Sequence, residues 1–256
     1  MQQKDQIPRN VHLADSHGAE FCATGHYART EKCGDSFILK KALDPAKDQS
    51  YVLWNLAQKE LGRLKFPLGI YTKPQIREIA DSAGLECAHS KDSQDICFIP
   101  DGDYASFIEE NSASVPPCGN YISEDGCVLG RHRGHHRTTL GQGKGLGIAL
   151  GRRVYVIDKN ASDNTVTLGS EEHLYKKRVT ADSINIICPG ALEKRERFSA
   201  KIRYGRRENT GYAERTGEDT LTFEFDEAVR APSPGQSLVI YDGDCVVAGG
   251  IIRRAD

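Results

Sequence analysis

Ser112-Ala113-Ser114-Val115-Pro116-Pro117-Cys118-Gly119 divides the chain into two kinds of sequence. Two successive prolines donate no backbone hydrogen bond and hold the residue before them extended, so neither a helix nor a central strand runs through this stretch. Upstream, apolar residues recur at helical spacing between a few short strand-like runs. Downstream, short β-type runs alternate with Gly and Asp turns: Tyr121-Ile122, Val128-Leu129, Val154 to Ile157 and Thr165 to Leu168. Beyond residue 177 six more runs follow, Ser183 to Ile187, Phe198 to Tyr204, Tyr212 to Arg215, Thr220 to Phe225, Ser237 to Tyr241 and Val246 to Ile252. Six strands at that spacing predict a small β-barrel. The expected organisation is therefore an α/β module over residues 1–112, a small β-rich central domain over 113–177 and a C-terminal β-barrel over 178–256.

Within the first module, the apolar run Ala19 to Thr24 ends in Gly25-His26, a strand passing into a loop, and such strand ends are where α/β sheets hold ligands. Phe37 to Leu39 reads as a second short strand. Lys47-Asp48-Gln49-Ser50-Tyr51 predicts a helix start with Asp48 as cap, running to about Leu64 with Val52, Leu53, Leu56 and Ala57 on one side. Thr72-Lys73-Pro74-Gln75 predicts another, with a capping box, a buried stripe of Ile76, Ile79, Ala80 and Ala83, and Gly84 as terminator. A third short helix is expected over Tyr104 to Glu110.

The bulk numbers exclude some classes. With 256 residues, 38% of them hydrophobic, the chain is folded rather than disordered and long enough for several modules. A formal net charge of -2 argues against a globally basic nucleic-acid binder, yet basic clusters at Arg131 to Arg137, Lys176 to Arg178 and Arg203 to Arg207 can hold phosphates locally. No stretch approaches the roughly twenty apolar residues that cross a bilayer. The N-terminus lacks the apolar segment of a signal peptide, so no membrane partner and a cytoplasmic location are expected. Eight cysteines at irregular spacing, without a C-x-x-C, read as free thiols of a reducing compartment.

Two stretches invite chemistry. Lys91-Asp92-Ser93-Gln94-Asp95-Ile96-Cys97-Phe98-Ile99 sets Cys97 behind acids and amides. Taken alone it reads either as a reactive thiol or as a small hydrophobe in a buried run; Asp92 and Asp95 oppose the thiolate, and Lys91 or a helix N-terminus would have to offset them. Gly130 to Arg137 brings His132, His135 and His136 together, but no cysteine or carboxylate stands at ligand spacing and the interleaved arginines repel a cation, so a phosphate-facing loop is expected there and no metal.

Ala23 to Arg29, Lys47 to Tyr51, Phe66-Pro67-Leu68-Gly69, Ser93 to Ile99, Gly141-Gln142 with Lys144 to Ile148, and Pro234 to Ser237 follow one another in a recognisable order. By these motifs, in that order, the chain resembles the tRNA-specific 2-thiouridylase family. Thr138 and Gly143 depart from it, where the family has tyrosine and arginine. So does the front of the chain: residues 1–20 hold neither the family's S-G-G-x-D-S phosphate loop nor its first catalytic cysteine.

The resemblance implies that the first module is a remnant of a PP-loop nucleotide-binding domain, with Gly25 lining an ATP site. It implies that Cys97 carries sulfur as a persulfide, and that His26, Lys47, Asp48, Gln49, Arg203, Tyr204 and Gln236 meet tRNA. The implied function is 2-thiolation of the wobble uridine, by a fragment or by a split enzyme whose PP-loop half is a separate chain. The implied partners are tRNA, a sulfur-relay protein or cysteine desulfurase, and that separate chain. The alternative is a non-catalytic tRNA-binding paralogue, and a third reading is a persulfide-handling protein without RNA.

Overall fold

The computed structural model describes residues 11–89, 103–205 and 207–256. Its described residues form two compact units, one within Met1–Ser90, Lys177–Glu227 and Ser233–Asp256, the other within Lys91–Lys176 with Ala228–Pro232.

The first unit begins with β1 (Cys22–Ala23), then the hairpin β2 (Ala28–Cys33) and β3 (Ser36–Lys41), turning at Gly34 with φ +59°. Sequence reading found only the middle of β3. It missed β2 because Arg29, Thr30, Glu31 and Lys32 make a polar strand, and the topology shows why that is tolerated: β2 is the edge of its sheet.

The expected helix from Asp48 to Leu64 is not continuous. A 3₁₀ turn covers Ser50–Val52, and helix α1 spans only Gln58–Arg63. Tyr51, Leu53, Trp54 and Leu56 are all buried, which on a continuous helix would take more than one face. The carbonyls of Trp54 and Leu56, acceptors that a continued helix would use, instead take hydrogen bonds from Asn185 Nδ2 at 2.7 and 2.9 Å. Strand β4 (Leu64–Lys65) then pairs parallel with β1, Cys22 opposite Leu64.

Helix α2 (Lys73–Ser82) starts as its sequence predicts, with Gln75 Oε1 accepting from Thr72 N at 2.8 Å. It ends at Gly84, φ +68°, with Leu85 N donating back to Ala80 O at 2.9 Å. Its apolar stripe is not covered by the described residues: none of the helix is buried, and Ile79 is half exposed.

The rest of the first unit is a closed barrel. Strands β9 (Tyr175–Ile186), β10 (Glu196–Lys201), β11 (Asn209–Arg215), β12 (Thr220–Arg230), β13 (Ser237–Asp242) and β14 (Cys245–Ala255) run in the order β13-β10-β11-β12-β9-β14, and β13 pairs again with β14. Alternation places Leu221, Phe223 and Phe225 of β12 inside, with Leu238, Ile240 and Ile252. The hairpin joins this barrel at β14, Lys40 opposite Cys245. One apolar cluster unites Leu39, Leu53, Trp54, Leu61 and Phe66 of the front with Ile187, Val239, Tyr241 and Val246 of the barrel.

The second unit carries helix α3 (Tyr104–Asn111), capped by Asp103 through Ala105 N and Ser106 N. Its sheet takes β5 (Gly119–Ile122), β6 (Val128–His132), β7 (Tyr155–Asn160) and β8 (Thr165–Gly169) in the order β6-β5-β8-β7, with β5 and β8 parallel. Tyr121, Val154, Val156, Val166 and Leu168 form its core. The Gly141-Gln142 motif is pinned to β7, Gly141 N donating to Val156 O at 2.8 Å and Val156 N to Gln142 O at 2.9 Å.

Candidate nucleic-acid interface

In the first unit, three segments far apart in sequence converge. The earliest is the loop after β1. Gly25 is exposed, and a Cβ placed there would meet only Leu68 Cδ1, at 3.9 Å. His26 Nδ1 lies 3.0 Å from Thr24 Oγ1, and its ring meets Phe66 edge-on at 6.4 Å. Burial lowers the His26 pKa below its ordinary 6.5 and so favours the neutral ring.

The next residue, Tyr27, ties this loop to the second segment. Its N–H donates to Gln49 Oε1 at 2.9 Å, and Gln49 N–H donates back to Tyr27 O at 2.8 Å. Asp48 lies deeper. Oδ1 accepts from Ala42 N at 3.2 Å and Ser50 N at 3.1 Å; Oδ2 accepts from Ser50 Oγ at 3.0 Å and from Lys201 Nζ at 3.4 Å. The sequence predicts Asp48 as the cap of a helix; the residue in the cap position of the 3₁₀ turn is Gln49, and the Asp48 carboxylate binds Ser50 from one residue further out. Lys47 beside it is half-buried.

The third segment comes from the barrel. The turn Pro234-Gly235-Gln236 needs a glycine, since Gly235 sits at φ +85°. Gln236 is exposed, with its carbonyl accepting from Ile252 N at 2.7 Å. Ser237 takes two hydrogen bonds from the second segment: Tyr51 Oη donates to its carbonyl at 2.8 Å and Trp54 Nε1 to its hydroxyl at 2.9 Å. Arg203 Nη2 donates to Ser233 Oγ at 2.6 Å, and the ring of Tyr204, 54% exposed, lies 6.2 Å from that of Tyr51.

Asp48, Gln49, Arg203, Tyr204 and Gln236 are therefore tied together through Tyr27, Tyr51, Lys201, Ser233 and Ser237, with Gly25, His26 and Lys47 as their chain neighbours. The linking residues were not singled out from sequence, although Tyr51, Lys201 and Ser237 stand inside or beside the motifs quoted above. A half-buried charge network completes the cluster. Lys41 Nζ lies 2.7 Å and Lys201 Nζ 3.7 Å from Glu208 Oε1, and both ammonium groups lie over the Tyr241 ring, at 4.5 and 5.2 Å from its centroid. Burial acts to raise the Glu208 carboxyl; hydrogen bonds from Lys41 and Ser199 with the charges of Lys41 and Lys201 outweigh it, leaving the group below its ordinary 4.5.

Cys97 lies outside the described residues. The histidine loop of the second unit has structural employment. His132 is buried, its Nδ1 accepting from Gly134 N at 3.0 Å while Nε2 faces Asn164 O at 3.2 Å; His136 Nε2 is 2.7 Å from Glu109 Oε1, and Arg137 reaches the same carboxylate with two nitrogens, at 2.8 and 2.6 Å. The fit to a nucleotide triphosphate at Gly25 is poor. From Thr24 to Ala28, the amides of Thr24, Tyr27 and Ala28 are already committed to Lys65 O, Gln49 Oε1 and His26 O, so this loop is no cradle of converging N–H groups.

Three family models match successive parts of the chain: the tRNA methyl transferase HUP domain over residues 8–101, the tRNA methyl transferase PRC-barrel domain over 106–170, and the aminomethyltransferase beta-barrel domain over 176–252. Curated relatives are similar along nearly all of it. The tRNA-specific 2-thiouridylase MnmA of Clostridioides difficile is 43% identical over 240 residues, 93% of this chain and 66% of the relative. That of Acetivibrio thermocellus is 43% identical over 245 residues, 95% and 68%, and MnmA 2 of Clostridium botulinum strain Loch Maree is 42% identical over 241 residues, 94% and 68%. The chain spans about two thirds of the length of these relatives.

Proposed function

The chain belongs to the tRNA-specific 2-thiouridylase family, and from that premise we propose that it serves tRNA 2-thiolation at the wobble uridine, with the convergent cluster of the first unit as its tRNA surface. One observation carries the reading: Gln49, Arg203, Tyr204 and Gln236, drawn from segments some 150 residues apart, are tied into one face through Tyr27, Tyr51, Lys201 and Ser237.

The chemistry assigned to the chain follows from the uracil ring. Oxygen at C2 is a poor leaving group, and ATP, held elsewhere than in the Gly25 loop, would supply the adenylyl group that makes it a good one. Cys97 would carry a persulfide received from a sulfur-relay protein or desulfurase, and its outer sulfur would bond to C2 as the C2–O bond broke and the activated oxygen left. The remaining S–S bond is released by a second thiol, which ends in a disulfide with Cys97. A base must leave its stack to be reached, so the chain's own contribution is to grip the surrounding tRNA, by phosphate contacts from Lys47 and Arg203 and by the exposed ring of Tyr204. We assign the three modules to residues 1–112, 113–177 and 178–256, and the protein to the cytoplasm. Among the described residues no helix is long and apolar enough to cross a membrane.

A second reading is favoured by the committed amides around Gly25. A chain that grips tRNA without activating the base, either as a non-catalytic binder or beside a separate PP-loop chain, needs no phosphate cradle there.

Filter or fluorescence binding of tRNA across a salt series tests the shared part. Binding should weaken linearly in log–log form, and Lys47→Ala and Arg203→Ala should each make the slope shallower by about one. No binding at low salt sinks the tRNA reading. Mass spectrometry after incubation with a desulfurase and its carrier separates the two readings: persulfide on Cys97, absent in Cys97→Ser, supports sulfur transfer, whereas labelling spread evenly over the other thiols favours the binder.

A further inference from the structure

We propose that Asp48 and Lys201 are a positioning pair that holds the two halves of the tRNA surface in register without touching the RNA. The inference rests on the tRNA reading above and assigns Asp48 a different task from its neighbours Lys47 and Gln49. The Asp48 side chain is 4% exposed and its carboxylate already accepts from Ala42 N, Ser50 N, Ser50 Oγ and Lys201 Nζ. Four donors match the acceptor capacity of a carboxylate, leaving none for a ribose or a base.

Lys201 is equally withdrawn. Its side chain is 15% exposed, and its ammonium group is shared between Asp48 at 3.4 Å, Glu208 at 3.7 Å and the face of Tyr241. With Lys41, the group comprises two cations and two anions, so it adds no net charge to attract a phosphate. What it does add is a connection. Asp48 sits between Lys47 and Gln49, and Lys201 stands two residues before Arg203. One ion pair therefore fixes the loop that presents Lys47 to the strand end that presents Arg203 and Tyr204. Because the pair is largely out of water, losing one partner leaves an uncompensated charge, and the two segments separate or rearrange to hydrate it.

A phosphate contact and a positioning contact differ in how they depend on salt. Each phosphate contact adds to the slope of log affinity against log salt, whereas a positioning contact whose loss strains the bound geometry but leaves Lys47 and Arg203 on their phosphates changes affinity at every salt concentration alike. The experiment uses the full chain, an unmodified tRNA transcript with a wobble uridine, and four variants: Lys201→Met, Lys201→Arg, Asp48→Asn and the double Asp48→Asn/Lys201→Met. Asparagine keeps an Oδ1 acceptor for Ala42 N and Ser50 N and replaces Oδ2, which faces Lys201 and the Ser50 hydroxyl, by an uncharged amide nitrogen from which that hydroxyl can turn to accept.

Lys201→Met and Asp48→Asn should each weaken binding roughly tenfold, and the double should be no weaker than the poorer single, the non-additivity of a shared contact. Lys201→Arg should recover most of the loss. All slopes should equal that of the unaltered chain, with melting by circular dichroism confirming that each variant is folded at the assay temperature. If Lys201→Met does not fold, Asp48→Asn carries the slope comparison. A slope shallower by about one in Lys201→Met would place the lysine on a phosphate and overturn the inference, as would unchanged affinity or additive losses. If the unaltered chain binds no tRNA, the tRNA reading fails and takes the inference with it.

Discussion

The hydroxyl of Tyr51 donates to the main-chain carbonyl of Ser237 at 2.8 Å, across 186 residues of sequence. The donor is buried, its ring leans on Tyr204, and its acceptor begins the barrel strand that follows Gln236. Tyr51→Phe keeps the ring and removes the hydrogen bond, leaving a half-buried carbonyl short of one donor. The expected cost is about 1 kcal/mol, near the usual net value of such a bond. Urea unfolding followed by Trp54 checks this, since Trp54 is the one tryptophan of the chain and is buried in the same cluster.

Alkaline pH should attack the same contact. Burial pushes the Tyr51 phenol up from 10.0 to about 12, against hydrogen bonding to Ser237 and the Arg203 charge. The unfolded chain releases this proton near pH 10 and the folded chain holds it to about 12, so the folded state binds more protons in that window. Stability is therefore full below pH 10 and falls as pH rises from 10 toward 12. Urea midpoints measured from pH 9 to 12 should decline, and decline less steeply in Tyr51→Phe. Equal slopes in the two proteins would assign the decline to other groups, Tyr241 first among them, whose burial also raises its phenol.

Two glycines from the quoted motifs should respond in opposite ways to alanine. At Gly69 a Cβ would stand 1.7 Å from Ala28 O, a backbone atom that cannot yield without moving β2. Gly69→Ala should cost at least ~2 kcal/mol, in the range of overpacked sites. At Gly25 the added methyl would meet nothing nearer than Leu68 Cδ1 at 3.9 Å. Gly25→Ala should alter stability by less than ~0.5 kcal/mol, so any change it makes to ligand binding reports on function. Thermal and urea unfolding of both variants decide the matter.

The described thiols should also sort themselves by burial. Cys188 is raised to about 11, first by burial and then by Cys245 and Asp242 nearby, while Cys33 and Cys118 are exposed. At pH 8 the thiolate fraction of Cys188 is then about one part in a thousand, because the thiolate is the reacting form. Iodoacetamide labelling at pH 8, quenched at intervals and read by peptide mass spectrometry, should show Cys33 and Cys118 modified first and Cys188 last. Early modification of Cys188 would mean that its strand opens readily.

The barrel was legible because alternation at Leu221, Phe223 and Phe225 records which face is inside. The cap and terminator of α2 were legible because Thr72, Gln75 and Gly84 act on their own backbone. What failed depended on distant residues. The break after Ser50–Val52 is imposed by Asn185, some 130 positions away, and no local pattern at Trp54 or Leu56 announces it. The polar strand β2 exists only because β3 gives it a partner. The candidate site divides along the same line. Its members at Lys47 to Gln49, Arg203, Tyr204 and Gln236 stand in motifs, while their convergence rests on Tyr27 with Gln49 and Lys201 with Asp48, pairings that only tertiary structure creates.

The junction of β3 with β14 also sets the order in which this molecule can be completed. Lys40 has its strand partner at Cys245, and Arg29 and Lys41 reach Asp244 and Gly243 in the adjoining turn, at 2.6 and 2.7 Å. During synthesis, β2 and β3 emerge from the ribosome more than 200 residues before the strand that receives them. Contacts of such long sequence separation close slowly, because the chain entropy is lost before the contact forms. Leu39, fully buried in the finished unit, spends that interval without its cover. The segment 103–176 has most of its strand partners within itself and can fold while the first unit waits for its last strand. The front of this chain is thus a client of its own C-terminus, and chaperone dependence should track the time taken to translate from Lys41 to Cys245.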